Sequence, residues 1–226
     1  MIFLRGWEPA KSFQLRAVIH HATLNNMDWN SLGTFFTFGV KHVLEGWDHL
    51  LFASALVLAL RGFWEVFKVI GVFTLAHSIS VSLTVVRGAP LLPEWFVEPC
   101  IAASIIFVAL ENIFLPGSAG SVRRLAVAFI FGLVHGMGLA GALLETLSDM
   151  SGAVVVWAVV LFCIGVELGH LCVVAPLSGA LKMGRDQGGE KFHAAALRYG
   201  SIVIAAGGVY YLLASLGLLG GASAQG

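Results

Sequence analysis

The sequence predicts an all-α fold, a polytopic membrane bundle of about six transmembrane helices, and three observations predict it. Of the 226 residues, 58% are hydrophobic and only 12% charged, whereas a soluble domain is near a quarter charged. The mean hydropathy is +0.88. Apolar runs of about twenty residues recur between short polar breaks, and that is the length that crosses ~30 Å of hydrocarbon at ~1.5 Å per residue.

Hydropathy places the spans at about 33–60, 64–86, 95–115, 123–147, 152–176 and 197–219. The first run is ~42 Å long as a straight helix, more than the bilayer core, so it must tilt or break, with Gly39 and Gly46 as the candidate break points. Residues 1–31 form an extracytoplasmic tail, 32–220 a single transmembrane domain and 221–226 a flexible end. Scattered Arg5, Lys11 and Arg16 among aromatics do not make a cleavable signal. They fit an amphipathic N-terminal surface helix. The stretch from Gly179 to His193 is the one sizeable polar linker, and it should hold His193 in solvent.

Basic residues set the orientation. Arg61 and Lys68 follow span one, Arg123 and Arg124 follow span three, and Lys182, Arg185, Lys191 and Arg198 surround the loop after span five. These regions share the cytoplasmic side, which makes both termini periplasmic. The formal net charge is zero, and without a basic block nothing points to nucleic acid. Cys100, Cys163 and Cys172 lie in apolar runs at unrelated spacings and read as packing residues. No Walker A pattern occurs, so the chain does not hydrolyse ATP through a P-loop.

Against this background the ionisable groups inside the spans are informative, because each costs ~2.5–3.5 kcal/mol on insertion scales. Span one reads His42-Val-Leu-Glu45-Gly-Trp-Asp48-His49. On one helix His42, Glu45 and His49 would share a stripe, with Asp48 about 100° round from His49, free to bind separately or to orient a histidine. Imidazole with carboxylate suits borderline divalent metals. Span two adds His77 beside Thr74 and Ser78, whose hydroxyls read as helix-to-helix hydrogen bonds. Span three carries Glu98, Glu111 and Asn112. Span four sets His135 among Gly132, Gly136 and Gly138, where small residues admit a neighbouring backbone. Span five offers Glu167 and His170, a Glu-x-x-His pair of the kind used in di-metal bundles. In the outer tail, His20 and His21 are candidates for metal capture, although adjacent surface histidines are usually incidental.

Depth along the spans divides these groups. His42, His49, His77, Glu98 and His135 fall in an outer layer, and Glu111, Glu167 and His170 in an inner one. A graded series of weak sites is what ion passage requires.

The segments HVLEGWDHLLF (42–52), FTLAHS (73–78), 97–112 with Glu98 and Glu111-Asn112, FGLVHGMG (131–138) and GVELG (165–169) resemble the HupE/UreJ family in the same order. The His42 to His49 element and FTLAHS are also similar, more distantly, to spans of the NiCoT nickel/cobalt permeases. The resemblance implies a multi-pass protein of the bacterial cytoplasmic membrane that takes up nickel or cobalt, with His42, Asp48, His49, His77, Glu98 and His135 on the metal path. The chain departs from the family in lacking a recognisable signal, and in having Cys163 and His170 where Asn and Gln are common.

The expected function is therefore a divalent metal permease for nickel or cobalt, with zinc, iron and copper as alternatives. The expected ligands are His42, Asp48, His49, His77, Glu98, His135, Glu167 and His170, with Glu45, Glu111 and Asn112 as secondary candidates. Its partners are the lipid bilayer and the metal ion, with a metalloenzyme-maturation or other membrane partner, and an oligomer, left open. The competing readings are an intramembrane metalloenzyme acting on a lipid-phase substrate and an accessory membrane subunit.

Overall fold

A computed structural model describes residues 29–115, 122–147, 150 and 152–219. The expected surface helix, His20, His21 and the C-terminal tail lie outside the described residues. Among the described residues the chain is all helix: α1 (Trp29–Glu45), α2 (Trp47–Leu58), α3 (Phe63–Arg87), α4 (Glu94–Phe114), α5 (Val122–Leu147) and α6 (Gly152–Ser215). Four of these, α3 to α6, are long and apolar enough to cross a membrane.

The first run does break, at Gly46. This residue is extended, with φ −82° and ψ 95°, and ends α1 one residue before α2 begins. The Gly46 N–H still donates to the His42 carbonyl (3.0 Å) and its own carbonyl accepts from Leu50 (3.1 Å), so the two helices bend without parting. The break overturns the expected His42–Glu45–His49 stripe: Glu45 is exposed at the end of α1, whereas His42 and His49 are buried.

The second departure concerns the polar linker. Residues 179–188 continue the helix, and the chain turns only at Gly189, whose φ of 60° and ψ of −151° suit a residue without a side chain. Phe192 then packs against Gly184, where a Cβ would collide with its ring. The two arms of α6 thus double back on each other. His193 is buried, at 7% exposure, rather than solvated.

Close glycine contacts set the packing. Cβ atoms at Gly39 and Gly165 would each collide with backbone of the other helix, at the Phe162 and Phe36 carbonyls, so α1 and the first arm of α6 touch backbone to backbone. Gly132 and Gly136 on α5 abut the Phe73 and His77 carbonyls of α3 in the same way. The second arm of α6 packs on α2 and α4, with Gly207 against Leu51 and Gly208 against Ile105 and Ile106.

Outside this core many large apolar side chains are exposed. Trp47, Phe63, Trp64, Leu75, Val86, Trp95, Phe114 and Val203 are all exposed. A soluble protein rarely leaves so many large apolar side chains bare, whereas hydrocarbon chains solvate them. Phe63 and Trp64 open α3 and Trp95 and Phe96 open α4, so exposed aromatics mark the two opposite ends of α3, as aromatic belts do at the two membrane interfaces.

Candidate metal centre

Five histidines meet in the core, each brought by a different helix: His42 from α1, His49 from α2, His77 from α3, His135 from α5 and His170 from the first arm of α6. His49 is the hub. Its ring centroid lies 4.5 Å from that of His42, 5.6 Å from His77, 5.4 Å from His135 and 5.7 Å from His170. Within this group His42, His49 and His77 each offer a ring nitrogen within 4.8 Å of the others, close enough to share one ion.

Local structure explains the convergence. The bend at Gly46 turns His49 back towards His42, and a Cβ there would fall 2.7 Å from the His42 carbonyl and 3.1 Å from His49 Nδ1. The close approach of α3 and α5 at Gly132 and Gly136 brings His77 and His135 to the same hub. Phe52, Phe73 and Phe162 wall it: Phe73 stands 5.2 Å from both His135 and His170, Phe52 4.7 Å from His135, and Phe162 6.0 Å from His42.

The hydrogen bonds determine which nitrogens point inward. Asp48 Oδ1 lies 3.1 Å from His49 Nδ1. A carboxylate can only accept, so Nδ1 carries the hydrogen and Nε2 holds the lone pair in the neutral ring. His135 Nδ1 donates to the Phe131 carbonyl at 2.8 Å, with the same consequence. His170 Nδ1 lies 3.1 Å from Thr74 Oγ1, so Thr74 bonds between helices as its residue type predicts. The Nε2 atoms of His49, His77, His135 and His170, and Nδ1 of His77, are buried without a hydrogen-bond partner. Buried polar atoms in folded proteins are almost always satisfied. Several such imidazole nitrogens around one hub could hold a metal ion, and nitrogen donors suit a borderline transition metal better than magnesium or calcium.

A family model described as HupE / UreJ protein matches residues 19–215, most of the chain. The chain belongs to the HupE/UreJ family. It matches no curated protein and no solved structure. The HupE/UreJ match includes all five histidines and the bend at Gly46.

The remaining candidates fall elsewhere. Glu98 is exposed on α4, and Glu167, one turn from His170, is half-buried. The two-layer arrangement does not hold, because His170 joins the hub. A span ending near residue 176 would put His170 towards the inner side, but the helix runs on to Gly188 and puts His170 at its middle. Glu111 and Asn112 belong to a second buried cluster. Arg124, 1% exposed, donates to Glu111 Oε2 (3.0 Å), Asn112 Oδ1 (2.8 Å) and the carbonyls of Ala55 (3.2 Å) and Leu56 (3.3 Å). Sequence reasoning missed Arg124 by counting it with Arg123 as a loop charge. Successive helical residues point about 100° apart, so Arg123 stays half in solvent while Arg124 enters the core. The available signal was Glu111 and Asn112, two polar groups in an apolar span that needed a partner.

Proposed function

We propose that this HupE/UreJ protein is a permease for a divalent transition metal, nickel or cobalt first, in the bacterial cytoplasmic membrane. The observation that carries the reading is the set of buried, unsatisfied Nε2 atoms around His49. Such a site has no structural purpose that apolar side chains would not serve better, since each orphaned polar atom costs ~1–3 kcal/mol. Neutral imidazoles bind nickel, cobalt and zinc, and as uncharged ligands they hold the ion without the full grip of several carboxylates. Asp48 orients His49 and supplies a carboxylate beside the donor set. The basic residues at the Gly189 turn and around Arg61 would face the cytoplasm.

A second reading is favoured by one observation, the gathering of the histidines in a single centre rather than two layers. One centre is also what an intramembrane metalloenzyme needs, with metal activating water beside a lipid-phase substrate. Elemental analysis of purified protein, combined with Co²⁺ and Ni²⁺ uptake into proteoliposomes, separates the two. The permease reading expects metal-dependent flux in the wild type and its loss in His49→Ala and His77→Ala. Stoichiometric metal that stays bound with no flux would replace it with the enzyme reading.

A further inference from the structure

Arg124 is the largest fully buried side chain of the described residues, and the histidine centre does not use it. A charge in such a position is costly unless it is paired and hydrogen-bonded; here the two Nη atoms are bonded and Nε is buried without a partner. Its partners show what it holds. The Leu60 N–H turns back to the Val57 carbonyl (3.0 Å), so the Leu56 carbonyl goes to Arg124, and the Ala55 carbonyl is shared by Arg124 and by Asn112 Nδ2 at 2.7 Å. These are carbonyls of the last turn of α2, which lack intrahelical partners and carry the negative end of the helix dipole. Asn112 Nδ2 also reaches Ser201 Oγ at 3.2 Å, so α2, α4, α5 and the second arm of α6 are fastened at one point.

The same end of the molecule is held again from outside. Arg185 Nη2 donates to the Arg61 carbonyl (3.1 Å), and Arg61 forms a two-pronged pair with Glu190 at 2.7 and 2.8 Å. The short helix α2 therefore has an extended glycine and the Asp48–His49 pair at one end and an arginine grip at the other. The two ends are ~10 Å apart along the helix. Phe52 on α2 and Ile70 and Phe73 on α3 lie between them along their helices, all fully buried. Between His49 and the side of the Gly189 turn there thus lie buried apolar side chains and then the Arg124–Glu111 pair.

We propose that Arg124 is a positioning residue for ion release: with Glu111 and Asn112 it latches the end of α2, and loosening that latch lets the ion leave His49 towards the Gly189 side. The proposal rests on the permease reading. The latch acts on the rate of release and leaves the donor set intact, so it predicts a split between binding and rate.

Purified wild type, Arg124→Gln, Glu111→Gln and Arg124→Lys would be compared for Co²⁺ binding by titration, for Co²⁺ uptake by proteoliposomes over a concentration series, and for amide hydrogen exchange at residues 55–62. In Arg124→Gln and Glu111→Gln, half-saturation and the dissociation constant stay within about twofold, the maximal uptake rate rises about fivefold or more, and exchange quickens. Arg124→Lys keeps the buried charge but lacks the planar fork that reaches several acceptors, so it falls between. It also stands in should Arg124→Gln not fold. An unchanged maximal rate, or binding and rate falling together in folded variants, overturns the latch while leaving the permease reading intact. Absence of Co²⁺ flux in the wild type removes both.

Discussion

At the residue scale the centre depends on small groups beside the imidazoles. Asp48 holds His49 in the tautomer that turns Nε2 to its neighbours, so removing the carboxylate's charge loosens that choice without touching the ring. Asp48→Asn is expected to weaken Co²⁺ binding about 10–100-fold, the usual cost of losing a carboxylate behind a ligating histidine, as read by competitive titration. Gly46 acts through the same pair. A Cβ there would sit 3.0 Å from Asp48 Oδ1 and 3.1 Å from His49 Nδ1. Gly46→Ala should therefore cost about tenfold in Co²⁺ affinity, and an unchanged titration would show that the bend tolerates a methyl group. The histidines were legible because an imidazole is conspicuous in an apolar run. The Asp48–His49 geometry was open to two readings, and only the bend, which no residue count reveals, chose between them.

At the scale of elements the spacing of small residues carried more information than hydropathy. Gly132 and Gly136 were readable as a surface for close helix contact, and α3 does lie against them. Gly136 touches both the His77 carbonyl and Ser80 Oγ, so an added side chain must part α3 from α5. Gly136→Val should destabilise the protein by about 2 kcal/mol and shift His77 away from the hub. Thermal unfolding in detergent micelles checks the first effect, and loss of Co²⁺ binding in folded protein checks the second. Helix ends were less legible. Hydropathy ends a span where polar residues begin, but residues 179–188 stay helical as far as Gly189 despite Gly179, Gly184 and Gly188, and that extension puts His170 at the middle of its helix and not in the expected inner layer. Arg124 was lost for a related reason: a basic residue at a span boundary reads as a topological signal, and which of two neighbouring arginines turns inward depends on helical phase.

At the scale of the whole molecule, the all-helical bundle followed from composition and run length, because a bilayer admits few other solutions. What composition could not give is which ends lie together. The Arg61–Glu190 pair puts the α2–α3 loop and the Gly189 turn on one side, and both partners are exposed. The Arg61 guanidinium holds the Glu190 carboxyl below its ordinary range, chiefly through the hydrogen bond. A carboxyl lowered in this way supports the folded contact above its unfolded pKa and loses it as pH falls through the folded value. In proteoliposomes the fluorescence of Trp64, three residues from Arg61, should therefore change reversibly as pH falls below the ordinary glutamate range, and Glu190→Gln should abolish the change. The same geometry makes a stronger topological prediction. Cysteines placed singly at Gln187 and at Pro90, in a background with Cys100, Cys163 and Cys172 replaced by alanine, lie beside the Gly189 turn and in the α3–α4 loop respectively. Because α3 separates these two ends, a membrane-impermeant maleimide added to intact spheroplasts should label Pro90→Cys and leave Gln187→Cys unlabelled until the membrane is opened. Labelling in the reverse order would invert the orientation and with it the direction of uptake, and labelling of both from outside would mean that α3 does not cross the membrane.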